Sequence, residues 1–201
     1  MNTYLGISTD LGPEDVPGDV AGGAGLLFLE GYLYDKPTGK AAFTAAAGAC
    51  RTGGGKAALS LSDPFCVDRH RDDFRKLLPQ MDIVFGNEHE WKSMYQTEDL
   101  GAALEQAAAE SGLIVCTRSG HDVAIVEAGN SIAVPVQEAQ VVDATGAGDQ
   151  FAAGFLYGVA TGAPLEVAGR MGCIAAREVI AHYGARPEAD VKALFAAEGL
   201  V

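Results

Sequence analysis

Four short, unbroken apolar runs, each leading into a stretch of helical periodicity, constrain this chain more than any other feature. They are GLLFLE (25–30), AALSLS (57–62), DIVFGN (82–87) and LIVCT (113–117). A strand with one wet face alternates apolar and polar residues, whereas a strand covered on both faces reads as a continuous apolar run. Between the runs, helical patterns fall at 37–51, 69–78, 88–95 and 99–111. Strands alternating with helices at this spacing predict a parallel sheet with helices on both faces. The stretch DVAIVEAGNSIAVPV differs, with two runs around Ala128-Gly129-Asn130 that predict an antiparallel hairpin. From residue 150 onward the pattern is helical, with Pro164 suited to a helix start and Gly184 and Pro187 to a helix end. The expected fold is therefore α/β: a three-layer α/β/α sandwich with a mostly parallel central sheet. No low-complexity linker divides it, so residues 1–201 read as one domain. The opening MNTYLGISTDLGPEDVPGDV reads as an edge strand and loop.

In open parallel sheets, ligands bind beyond the carboxyl ends of the strands. Those ends carry Asp63, Asn87 with Glu90, Thr117 and a Gly-rich stretch after Val142. A chain of 201 residues can build one good core. Its net charge of -13, with no basic cluster interleaved with aromatics, argues against a nucleic-acid polymer as partner. Any phosphate must then be held by backbone N–H groups or through a metal. Cys50, Cys66, Cys116 and Cys173 are far apart and form no C-x-x-C pair, so reduced thiols and a cytoplasmic setting are expected. No stretch is long enough to span a membrane, and no membrane partner is expected. His89 and His121 read as surface or loop residues and Trp91 as packing.

The Gly-rich stretch is VVDATGAGDQFAAGF, Val141 to Phe155. Gly146 and Gly148 can take positive φ, and Ala147 has only a methyl group, so backbone N–H groups can converge on a small concavity. A helix starting near Asp149 adds the positive end of its dipole. The combination predicts an anion cradle at Thr145, Gly146, Ala147 and Gly148, suited to a phosphoryl group in transfer. Asp149 at its rim is placed to accept the proton of an attacking hydroxyl. The plainer alternative is a strand-to-helix turn with Asp149 as N-cap. The other glycine cluster, RTGGGKAALS, lacks the first glycine of a Walker A loop and has Ala57 where Ser or Thr should stand. It reads as a helix end feeding a strand. In FGNEHEW, Asn87 and Glu90 share one helix face and could hold Mg²⁺ through its waters. They could equally form an N-terminal capping box. No G-x-G-x-x-G follows an early strand with a suitably spaced acid, which argues against a dinucleotide-binding dehydrogenase.

With Asp143-Ala144-Thr145-Gly146-Ala147-Gly148-Asp149 and Asn87-x-x-Glu90 in place, the sequence resembles the ribokinase-like (PfkB-type) kinases, and within them the adenosine-kinase branch. LSLSDPF, MDIVFGNEHE and HYGARP resemble the corresponding segments, and the likeness covers nearly the whole chain. The resemblance implies an ATP-dependent kinase acting on a hydroxyl of a nucleoside or, alternatively, a sugar. It makes Asp149 the catalytic base, Thr145 to Gly148 the anion hole, and Asn87 and Glu90 the organisers of Mg²⁺ around ATP. It places Thr117, Ser119, Gly120, Cys173 and Ala176 at the nucleotide, and Asp143 and Ala185 at a monovalent-cation (K⁺) site.

Two departures from the family pattern are Ser119, where Gly is usual, and Cys173, where Asn or His is common. A third is that the chain begins where the family is already under way. Residues 1–20 resemble a remnant of the lid strand and its connection, and the resemblance implies that the family's N-terminal strands and most of its lid have no counterpart in this sequence. A homodimer through an exposed sheet edge is one consequence to expect. Weak or absent activity of the isolated 201-residue chain is another, which leaves a non-catalytic nucleotide-binding fragment as the rival reading.

Overall fold

The computed structural model describes Tyr4 and residues 6–201. The strand expected at the very start falls largely on residues 1–3 and 5, which lie outside the described residues. From residue 6 the backbone is not extended: Gly6–Asp10 and Pro13–Asp15 form 3-10 turns, and Gly18–Gly23 forms a short helix, α1. Pro13 and Pro17 each stand just at a helical start, where a missing N–H costs nothing.

Six strands, β1 (Leu26–Glu30), β2 (Lys56–Ser60), β3 (Ile83–Asn87), β4 (Leu113–Arg118), β5 (His121–Glu127) and β6 (Asn130–Val134), form a sheet in chain order. β1 and β2 run parallel with Leu26 opposite Lys56, and β2 and β3 run parallel with Ala58 opposite Ile83. The predicted hairpin is β5–β6, turned by Ala128 (φ 49°) and Gly129 (φ 81°), both left-handed as a type I′ turn requires. Ser119 and Gly120 alone connect β4 to β5, a tight turn that the sequence pattern did not disclose.

The chain divides into two compact units, Met1–Cys116 with Val126–Asn130, and Thr117–Ile125 with Ser131–Val201. In the first, α2 (Pro37–Thr52) buries Gly39, Ala42, Phe43, Ala46, Ala47 and Cys50, the three-and-four spacing of one helix face. It ends at Gly53 and Gly54 (φ 87°), so the RTGGGK cluster is the expected helix end before β2. Helix α3 runs Pro64–Leu77 rather than from residue 69. Asp63 caps it, accepting the N–H groups of Phe65 (2.7 Å) and Cys66 (3.2 Å), with Pro64 at the first helical position. The helix is bent at His70 (φ -126°, ψ 21°), next to the start that the sequence pattern predicts. Helices α4 (Glu88–Tyr95) and α5 (Leu100–Glu110) complete the helices of this unit. Leu59, Leu61, Phe74, Leu77, Trp91 and Ile114 are fully buried in it, each such side chain contributing roughly 1.5–3 kcal/mol.

In the second unit α6 (Ala147–Ala160) and α7 (Leu165–Val179) approach so closely that glycine stands at the points of nearest contact. A Cβ on Gly154 would meet the carbonyl oxygen of Met171 at 2.6 Å, and one on Gly158 the Cα of Ala168 at 2.8 Å. Met171, Ile174 and Ala175 of α7 then pack with Phe195 of α8 (Val191–Ala197). Among the described residues no helix is long and apolar enough to cross a membrane.

Candidate functional site

The Gly-rich turn is held from behind by a loop at the end of α7. The N–H groups of Val142 and Asp143 donate to the carbonyl of Ile180, at 2.8 and 3.4 Å. Asp143 then ties the two segments together: one carboxylate oxygen accepts the N–H of Thr145 (3.0 Å) and the other the N–H of Gly184 (3.2 Å). Hydrogen bonds from Thr145 and Gly184 and the nearby His182 keep this carboxyl below its ordinary pKa. Ala185 closes the back of the turn. A Cβ on Gly146 would lie 2.8 Å from the Ala185 Cβ and 2.9 Å from its carbonyl oxygen. Gly146 also has φ 82°, so both space and backbone exclude a side chain there.

Gly146 is the N-cap of α6, and no side chain caps the helix. Asp149, expected as the possible N-cap, instead occupies the third position of the first turn. The N–H of Ala147 bonds to the carbonyl of Ala144 (3.2 Å), whereas among the described residues those of Gly146, Gly148 and Asp149 meet no acceptor. Unpaired donors at the positive end of a 14-residue helix suit an anion. The front is open, since a Cβ on Gly148 would meet nothing within 4 Å. Asp149 is exposed, and nothing among the described residues pairs with its carboxylate. Protein packed around it still desolvates the carboxyl and raises its pKa, against the helix end, which works the other way. An unpaired carboxylate of raised basicity beside an anion cradle is equipped to take a proton.

Asn87 and Glu90 form the capping box in full. Glu90 N donates to Asn87 Oδ1 (3.0 Å), Asn87 N donates to Glu90 Oε2 (2.7 Å), and Asn87 Nδ2 donates to Glu90 Oε1 (2.6 Å). Glu90 is 4% exposed. Burial pushes its carboxyl up to about 7, with neighbouring Asp63 adding to the rise and the Asn87 N–H opposing it. With both oxygens engaged, the pair suits an outer-sphere partner of a hydrated Mg²⁺ better than a direct ligand. Trp91, next in sequence, is fully buried with Nε1 unpaired, and Gly86 leaves room for its ring.

The remaining predicted residues lie on two elements of the second unit. Thr117 is at the end of β4, and Ser119 takes φ 54° ahead of Gly120, a left-handed conformation that explains why glycine suits this position. Cys173 and Ala176 lie three apart on α7 and are both partly exposed on one face. Burial raises the Cys173 thiol to about 11, with Asp122 reinforcing it, which disfavours the thiolate. All four cysteines are free thiols, and Cys50, Cys66 and Cys116 are buried.

The model of the pfkB family of carbohydrate kinases matches residues 1–192. The chain belongs to this family. A curated relative, the cytidine kinase of Thermococcus kodakarensis, is 36% identical over 119 residues, covering 58% of this chain and 43% of the relative. Among solved structures, a probable sugar kinase from Rhizobium etli CFN 42 superposes with a TM-score of 0.93 at 40% identity, covering 96% of this chain and 59% of the other. The adenosine kinase from Sinorhizobium meliloti gives a TM-score of 0.91 at 39% identity, with the same two coverages. This pfkB-family chain thus spans less than half the length of that curated relative and about three-fifths of those two structures. It shares their α/β fold.

The sequence pattern marks the cradle and its acid but not what braces them. The Gly184 N–H and Ala185 contacts come from residues some forty positions away. Glu178, which anchors that loop from the other side, carries no local signal.

Proposed function

We propose that this chain carries the phosphoryl-transfer machinery of an ATP-dependent kinase whose acceptor is a nucleoside hydroxyl, adenosine first. The observation that carries the reading is the open Gly-rich turn: N–H groups without acceptors at the start of α6, with an unpaired carboxylate at Asp149 beside them. In this reading the cradle from Thr145 to Gly148 takes charge developing on the γ-phosphoryl oxygens. Asp149 accepts the hydroxyl proton as the acceptor oxygen bonds to γ-phosphorus, and the bond to the β,γ-bridging oxygen breaks to release ADP. Asn87 and Glu90 order the hydration of Mg²⁺, which screens the phosphate charge when bound. Thr117, Ser119, Gly120, Cys173 and Ala176 line the nucleotide side, and Asp143 with the Ala185 carbonyl offers oxygens to K⁺.

The acceptor class rests on likeness. The matched relatives include a cytidine kinase, an adenosine kinase and a sugar kinase, so a sugar hydroxyl is the alternative within the same chemistry. A non-catalytic nucleotide-binding chain is the alternative of another class. Calorimetric titration with ATP and Mg²⁺, run beside a coupled assay of ADP release, separates them. Binding together with adenosine-dependent release supports the proposal, release with sugars but not adenosine moves the acceptor, and binding without release supports the non-catalytic reading.

A further inference from the structure

Glu178 stands in the last turn of α7, where the helix dipole disfavours a carboxylate. Its side chain is only 10% exposed. One oxygen, Oε1, accepts two backbone donors, the N–H of Glu188 (2.9 Å) and the N–H of Ala189 (2.8 Å), and His182 Nε2 lies 3.3 Å away, an ion pair when the imidazole is protonated. The other oxygen is buried and unpaired. Burial pushes the carboxyl up, yet the Ala189 and Glu188 donors and the imidazole together bring it below its ordinary range. Glu178 therefore closes the loop from residue 179 to 188 by charge-assisted bonds to the backbone at its far end.

That loop is the back wall of the Gly-rich turn. It contains the Ile180 carbonyl that accepts Val142 N, the Gly184 N–H that donates to Asp143, and the Ala185 atoms that fill the space behind Gly146. Gly184 has φ 102°, and a Cβ there would meet nothing within 4 Å. A loop with a glycine at such a conformation and no regular structure needs fixing at more than one point to hold a wall in place. Asp143 fixes its middle at Gly184, and Glu178 its far end at Glu188 and Ala189.

We propose that Glu178 is a positioning residue for phosphoryl transfer: by anchoring the backbone of Glu188 and Ala189 it holds the Gly184–Ala185 wall, and through that wall the N-terminus of α6 with Gly146 and Asp149. It touches no reacting group. The proposal rests on the assignment of the Gly-rich turn to phosphate, which has its own test in Gly148→Ala.

Amide hydrogen exchange in the full chain, comparing Glu178→Ala with Glu178→Gln, tests it. Glutamine keeps an oxygen that can accept both N–H groups, whereas alanine keeps none. Glu178→Ala is expected to speed exchange at Gly184 and Thr145 by about tenfold or more, while amides in the middle of α7, at Ile174 and Ala175, exchange as before. The same variant is expected to weaken Mg²⁺–ATP binding, and Glu178→Gln to restore both readouts to within about threefold of the parent. Unchanged exchange at Gly184 and Thr145 in Glu178→Ala would overturn the proposal. So would a uniform rise in exchange across α7, which marks general destabilisation, or a failure of glutamine to rescue. Altered exchange with Mg²⁺–ATP binding untouched would likewise show that the wall does not position the cradle. None of these exchange outcomes depends on Asp149 being the base.

Discussion

Gly146 and Ala185 meet so closely that a Cβ on the first would lie 2.8 Å from the Cβ of the second. This contact fixes the depth of the cradle, because Gly146 is also the N-cap from which α6 departs. Gly146→Ala must displace the wall and hold alanine at φ 82°. The expected loss is about 1–3 kcal/mol in urea unfolding, accompanied by weaker Mg²⁺–ATP binding.

Gly148→Ala separates an anion cradle from a mere turn. A Cβ there meets open space, and residue 148 is inside a helix, so the substitution should stabilise the chain by about 0.5–1 kcal/mol. If phosphate docks against that open face, Mg²⁺–ATP affinity should fall about tenfold or more even as the melting temperature rises. A more stable protein with undiminished affinity would show that the face is not used.

Glu90 makes a pH signature. Its folded pKa, about 7, is raised above the ordinary carboxylate value of 4.5. The folded state therefore binds more protons than the unfolded state between these values, and stability declines as pH rises through that window. The contribution is complete below about pH 4.5 and lost above about pH 7, with a span of up to about 3 kcal/mol. Glu90→Gln should flatten this part of the stability–pH curve, measured by urea unfolding without metal. A variant curve parallel to the parent curve would mean that Glu90 titrates normally.

The contact of α6 with α7 predicts intolerance of a single methyl. Gly154→Ala brings a Cβ to 2.6 Å from the Met171 carbonyl oxygen, which is backbone and cannot swing away. About 1–3 kcal/mol should be lost, and calorimetry should record a lower melting temperature. A neutral result would require the helices to separate without cost.

Much of this architecture is legible in the sequence because the information is local. Runs such as LIVCT and DIVFGN announce strands covered on both faces, and the paired Asn87 and Glu90 announce a helix start whichever role they serve. Asp63-Pro64 is an equally local sign of the α3 start, yet the polar run after it points to a later beginning, where His70 in fact bends the helix. The opening turns at Gly6–Asp10 and Pro13–Asp15 escape because short 3-10 pieces have no hydrophobic period. In the candidate site, small residues before Asp149 reveal the cradle. Its bracing does not show, because the Asp143–Gly184 bond and the Glu178 anchor join residues with no common periodicity. The acceptor class is illegible for a different reason: in the proposed reading the cradle and Asp149 handle only the phosphate, and the matched relatives act on different alcohols by name.

Asp149→Asn is the most direct test of the central claim. The carboxylate is exposed, makes no hydrogen bond or ion pair with any described residue, and stands in the first turn of α6 without capping it. The isosteric amide should therefore leave the fold and Mg²⁺–ATP affinity within about threefold of the parent. In a form of the protein that turns over adenosine, ADP release should fall by about 10² or more, since general-base catalysis is typically worth that much. Release at the parent rate, with binding intact, would contradict the assignment of Asp149 as the base.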